Sequence, residues 1–248
     1  MRSKPGNATM RADHRKLCRQ LAGRLRRGEH LVLFGPRGIG KSTLLVELEE
    51  RLRAAGVPCA RASTTRCLDD ITRAFARAYP AVDTHEIARR AARARLSNAA
   101  DLQGGVLLLD HLTEVSNAMV SFLRRLHGGV LGVLSAVDVE VERERRQMQP
   151  WRLGALKVRM SRASNAVLRE LLRVRCAELG MSTLAPEIER RLLRAARGRP
   201  GWMIACAQTL ADGRYWRGRQ LFATLLCTDT EIALREAAFR RPGVIRGT

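Results

Sequence analysis

Aromatic residues are scarce in this sequence. Phe, Trp and Tyr make up 4% of 248 residues, so its core must be built from Leu, Val, Ala and Ile. Lysine is scarcer: Lys4, Lys16, Lys41 and Lys157 are the four in the chain, and every other cation among 45 Lys and Arg is Arg. Acidic residues number 24, which leaves a net charge of +21. Cys18, Cys59, Cys67, Cys176, Cys206 and Cys227 form no C-x-x-C pair and the five His are dispersed, so no zinc spacing is present. Scattered thiols of this kind fit a reducing, cytoplasmic setting. The longest apolar stretch, Val130 to Val137, is too short for a bilayer, and no apolar h-region follows the basic first ten residues. These absences predict a soluble cytoplasmic protein with no membrane partner.

The cationic excess has two readings. Clustered Arg neutralises phosphates and releases condensed counterions, which suits a nucleic acid bound through its backbone. A GC-rich coding bias accounts for Arg replacing Lys, but not for the net excess. An acidic protein partner would satisfy the same charge.

The length fits one mid-sized α/β domain with a smaller helical partner. Residues 1–10 read as a disordered basic arm. Leu17, Leu21 and Leu25 recur at four-residue spacing among Arg and Lys, which predicts an amphipathic helix over 11–27 with a basic outer face. Apolar runs at 30–34, 57–63, 106–110, 130–135 and 155–160 read as strands. Helical patterns at 42–55, 68–79, 84–96, 117–127 and 140–147 lie between or after them. Strands alternating with helices predict a parallel sheet flanked by helices over 11–160. From 161 to 248 the pattern is all-helical, with segments at 164–180, 186–197, 201–211, 218–227 and 229–240. It reads as a small separate lid domain.

Gly35-Pro36-Arg37-Gly38-Ile39-Gly40-Lys41-Ser42, running on into Thr43, matches G-x-x-x-x-G-K-[ST] in full. The glycines let successive N–H groups turn inward on phosphate oxygens, and the following helix aims its positive end at the same anion. Lys41 would reach the β- and γ-phosphates of ATP, and the Ser42 hydroxyl would ligate Mg²⁺. Asp110 closes the run Val106-Leu-Leu-Leu, at the strand end where α/β folds bind ligands. There it would hold the magnesium through water. His111 follows it, and Glu114 stands three residues on as a candidate carboxylate for activating water. Ser135 ends the next apolar run and would touch the γ-phosphate or the attacking water; a strand-end Ser satisfying a backbone group is the alternative.

These motifs, in this order and followed by a helical lid, resemble Walker A, Walker B and sensor 1 of the AAA+ ATPases. Gly198-Arg199-Pro200-Gly201 resembles the lid's sensor 2 region. The resemblance covers about residues 11–211 and is nearest to compact ATPases related to transposition regulators, replication initiators and STAND-type switches. It implies ATP hydrolysis in a homo-oligomer, with Arg199 as the sensor 2 arginine and Arg152 as a finger supplied to a neighbouring subunit. Arg145 and Arg146 compete for the finger. His111 occupies the position where many of these ATPases carry a glutamate.

Arg214-Tyr-Trp216-Arg217-Gly-Arg219 combines cations with aromatics. It is the local candidate for nucleic-acid contact, with Trp216 stacking on a base, although a loop plugging the helical unit is the plainer reading. Two rivals to a nucleotide-dependent ATPase switch remain. One is a non-hydrolysing nucleotide-gated scaffold. The other is a small P-loop phosphotransferase.

Overall fold

The computed structural model describes residues 5–63, 65, 67–77, 79, 94, 98, 104–112, 116–127, 131–138, 155–218 and 220–237. Its frame is a parallel sheet formed from the apolar runs. The strands are β1 (His30–Gly35), β2 (Cys59–Ala62), β3 (Gly105–Leu109), β4 (Leu131–Asp138) and β5 (Leu156–Arg159). Their order is β2-β3-β4-β1-β5, and every neighbouring pair is parallel. Parallel strands buried on both faces read as continuous apolar sequence. Leu31, Val32 and Leu33 of β1 and Val106 to Leu109 of β3 are accordingly buried. The register sets Gly35 opposite Asp138 and Leu109 opposite Ser135. The C-terminal ends of β1, β3 and β4 therefore lie side by side.

Four helices accompany the strands: α1 (Pro5–Arg26), α2 (Lys41–Ala54), α3 (Leu68–Ala76) and α4 (Asn117–His127). The first begins at Pro5, so residues 5–10, expected as a disordered arm, are helical. Proline is tolerated in a first turn because its missing N–H has no helical partner to lose there. Cys18, Leu21, Ala22 and Leu25 form its buried stripe, while Arg15, Lys16 and Arg19 face solvent. Three of the few aromatic residues pack together against the sheet. Phe75 meets Tyr79 and Phe122 edge-on at 5.2 and 6.3 Å, in a cluster with Leu107, Leu109 and Leu123. The helices expected over 84–96 and 140–147 lie outside the described residues, apart from one isolated helical position at 94.

The chain divides into two compact units. One comprises residues 12–36 and 41–160 and holds the sheet. The other comprises residues 1–11, 37–40 and 161–248. In the second unit, α5 (Asn165–Glu178), α6 (Pro186–Ala196), α7 (Pro200–Ala211) and α8 (Ala223–Ala237) surround a core that includes Leu168, Leu172, Leu192, Trp202, Met203, Cys206 and Tyr215.

One stretch departs from expectation. Instead of helices over 218–227 and 229–240, Trp216–Arg217 pairs antiparallel with Gln220–Leu221 and a single helix follows. Gly218, at φ 60°, supplies the left-handed residue that a two-residue hairpin loop needs. Thr228 and Thr230 do not break α8 because their hydroxyls bond back to the carbonyls of Thr224 and Leu226. Among the described residues no helix is long and apolar enough to cross a membrane.

Candidate functional site

The loop from Gly35 to Gly40 leaves the end of β1 and delivers the chain into the first turn of α2. Two of its residues require glycine: Gly38 at φ 75° and Gly40 at φ 106°. Gly38 also sits where a Cβ would lie 2.8 Å from the Trp202 backbone nitrogen, and its carbonyl accepts the Gly201 N–H at 2.7 Å. Residues 37–40 belong with Gly201 and Trp202 to the helical unit. Ile39 is buried, whereas Arg37, Gly38 and Gly40 are half-exposed. Lys41 is buried, and its Nζ donates to the carbonyls of Gly35 at 2.6 Å and Pro36 at 2.9 Å. A compact cation is thereby fixed beneath the loop's own carbonyls. Ser42 is half-buried and Thr43 is exposed.

Asp110 follows β3 directly and is buried. Its backbone N–H donates to Ala62 O at 2.9 Å, and its carbonyl accepts the buried Thr65 hydroxyl at 3.0 Å. Its Oδ1 accepts the His111 N–H at 3.0 Å. His111 has φ 50°, a left-handed geometry that His adopts more readily than most residues. This turn aims its Nε2 to within 3.4 Å of Ser42 Oγ and 3.8 Å of Asp110 Oδ1. Ser42, Asp110 and His111 thus form one group. The Ser42 hydroxyl and Asp110 carboxylate are hard oxygen donors of the kind Mg²⁺ takes, in a site where phosphate and water supply the other ligands. Among the described residues no cluster of three or more His, Cys, Asp or Glu is placed to hold a metal.

The sequence profile of the AAA ATPase domain matches residues 8–228. The chain belongs to that family. Solved structures similar to it include Cdc6p from Pyrobaculum aerophilum, at TM-score 0.58 and 17% identity over 82% of this chain and 61% of that one. The Walker-type ATPase PABY2304 of Pyrococcus abyssi is similar at 0.54 and 15%, over 90% and 73%. Domain III of the Thermotoga maritima replication initiation protein DnaA is similar at 0.53 and 13%, over 92% and 93%. At these identities the likeness is one of fold. The chain spans 61% of the length of the Cdc6p structure, less than two thirds of it. No curated protein sequence matches it.

Of the other expected site residues in this AAA ATPase domain, Ser135 lies in the sheet unit and Arg199 in the helical unit. Ser135 is buried within β4, paired with Val32 and Leu109, and the strand runs on to Asp138. The apolar run was expected to end at Ser135, but Ala136 and Val137 extend the strand, so Asp138 is the residue level with Gly35. Thr65 and Glu231 were missed because each acts only through a partner distant in sequence.

Arg199 is buried and bidentate with Glu231 of α8, at 3.2 Å through Nη1 and more closely through Nη2. Its other N–H groups donate to Ala196 O and Ala195 O, and its guanidinium lies 5.8 Å from the centre of the Trp202 ring. Glu114, Arg145, Arg146, Arg152 and Arg219 lie outside the described residues.

Arg214 donates to the Tyr215 hydroxyl and to Asp229 at 3.4 Å, while the Tyr215 hydroxyl donates to Asp229 at 2.7 Å. Burial, with Asp229 beside it, pushes the Tyr215 hydroxyl above its ordinary range. Tyr215 is buried in the helical core, Trp216 packs on it, and Arg217 is exposed.

Proposed function

We propose that this domain binds Mg-ATP in the Gly35–Thr43 loop, hydrolyses it, and acts as a nucleotide-dependent switch on nucleic acid. The grouping of Ser42 and Asp110 about His111, with Lys41 beside Ser42 in the chain, carries the reading. Lys41 supplies a point charge for the β- and γ-phosphates, and the loop's N–H groups and the α2 N-terminus add donors around them. Ser42 and Asp110 are the residues that would hold magnesium, which supplies charge neutralisation on the transferred phosphoryl group. Asp110 is fixed from both sides, by Thr65 on its carbonyl and by the His111 N–H on its carboxylate. Glu114 is the proposed carboxylate for orienting water. Arg199 is the proposed sensor of the γ-phosphate and Arg152 the proposed finger in a homo-oligomer. Nucleotide state would be read out as a change between two arrangements of the assembly. The net charge of +21 supports nucleic acid, held through its phosphates, as the partner.

The contact of His111 with Ser42 favours a second reading. An imidazole where the family resemblance puts a glutamate suits a scaffold that binds ATP and releases it unhydrolysed. Phosphate release measured with and without DNA separates the two. Release that depends on Lys41 and Asp110 supports the ATPase. Tight Mg-ATP binding with no release under either condition rules it out in favour of the scaffold.

A further inference from the structure

The helical unit carries a cleft between α5 and α6, of about 550 Å³, whose lining includes Arg169, Arg190, Arg191 and Arg194 with Asn165 and Glu187. Its cations are not equally engaged. Glu189, a buried carboxylate of α6, accepts from Arg169 of α5 and lies 3.5 Å from Arg173, so it ties the two helices together. Glu187 and Arg190 form an ion pair at 3.6 Å with both side chains about two-thirds exposed, an arrangement worth little in water. Arg191 and Arg194 are exposed and form no hydrogen bond or ion pair among the described residues. Four guanidiniums thus line one small cleft, and two of them have no carboxylate.

Such a grouping is unfavourable by itself. Like charges one helical turn apart, as at Arg190 and Arg194, repel by about as much as an ordinary oppositely charged helix pair attracts. An anion relieves that repulsion. The planar guanidinium fork matches phosphate oxygens, and the first turn of α5, capped by Ser164, opens on the same cleft through Asn165. Along α6 the two arginines are about 6 Å apart, which suits successive phosphates of one strand. No aromatic side chain lines the cleft, so nothing in it would read a base. By contrast, Arg214 is already held by Tyr215 and Asp229, and Trp216 is packed on the core.

We infer that the α5–α6 cleft is a phosphate-backbone site for nucleic acid, with Arg190, Arg191 and Arg194 as its contacts. This rests on the nucleic-acid part of the function proposed above and gives it a location.

The test uses the full chain and a fluorescently labelled duplex oligonucleotide, with affinity measured by anisotropy over a series of salt concentrations. Each phosphate neutralised contributes about 0.9 to the slope of log affinity against log salt. The triple variant Arg190→Ala, Arg191→Ala, Arg194→Ala should therefore lose about 2–3 from that slope. A control variant, Arg27→Ala, Arg53→Ala, Arg73→Ala, removes the same formal charge from exposed positions in the other unit and should keep the wild-type slope. Equal melting temperatures establish that both variants are folded. If wild type binds and the cleft variant keeps its slope, or the control loses as much, the cleft assignment is overturned while the nucleic-acid reading stands. If wild type shows no binding at low salt, both fall. If a phosphopeptide binds more tightly than the duplex and is lost in the cleft variant, the site belongs to a protein partner and the nucleic-acid assignment fails.

Discussion

His111 Nε2 lies 3.4 Å from the Ser42 hydroxyl, and the same imidazole approaches Asp110 Oδ1 to 3.8 Å. The ring therefore touches both proposed magnesium ligands from the position where the family resemblance places a glutamate. His111→Glu should raise the rate of phosphate release by at least about tenfold, a modest share of what a positioned general base contributes. His111→Ala should show no such rise. Because Glu tolerates φ 50° less well than His, turnover is to be read beside melting temperature. An unchanged rate in a well-folded His111→Glu variant would remove this position from the water-activating machinery.

Asp110→Asn keeps the side chain's shape and its contact with the His111 N–H but removes the charge. Its ATP titration should become nearly insensitive to magnesium, with the circular dichroism spectrum unchanged. A wild-type magnesium dependence would show that Asp110 serves only to end β3.

Glu231→Ala removes the carboxylate that the buried Arg199 guanidinium engages through both Nη1 and Nη2. Losing one charged hydrogen-bond partner costs about 1–3 kcal/mol, which in a chain of this length lowers the melting temperature by roughly 2–12 °C. A scanning-calorimetry trace identical to wild type would show that Arg199 draws nothing from the pair.

Burial pushes the thiols of Cys59 and Cys206 up to about 12 and that of Cys18 to about 11, from an ordinary 9.0. The folded chain holds these protons more tightly than the unfolded one. The stability they contribute is whole below pH 9.0 and drains away as pH rises toward 11 and 12. Denaturation midpoints should fall between about pH 8 and about pH 10, and less steeply in a Cys59→Ala variant. Under native conditions a thiol reagent should modify exposed Cys67 first and spare Cys18, Cys59, Cys176 and Cys206. Rapid labelling of Cys206 would contradict its burial.

The parallel sheet and the phosphate loop were legible because their signals are local. Four apolar residues ending at Asp110 specify a buried strand, and Gly38 and Gly40 mark a turn that only glycine makes without strain. Partnerships distant in sequence were not legible. Nothing near Arg199 points to Glu231, and nothing near Asp110 points to Thr65, because both pairs exist only once helices and strands have packed. The hairpin at 216–221 was missed for another reason. Gly218 opens the segment whose pattern reads as a helix over 218–227, but its φ of 60° makes it a hairpin residue. In the sequence Ser135 reads as a strand end, yet sheet pairing carries β4 to Asp138.

The central claim is that Lys41 is the cation of a Mg-ATP site. Isothermal titration of ATP, with magnesium present, into wild type and Lys41→Ala tests it most directly. Charge-assisted bonds from Lys41 to phosphate oxygens are worth about 1.5–3 kcal/mol each, so the variant should lose at least about 100-fold in affinity, close to 3 kcal/mol. Micromolar ATP binding retained by a folded Lys41→Ala protein would contradict the account.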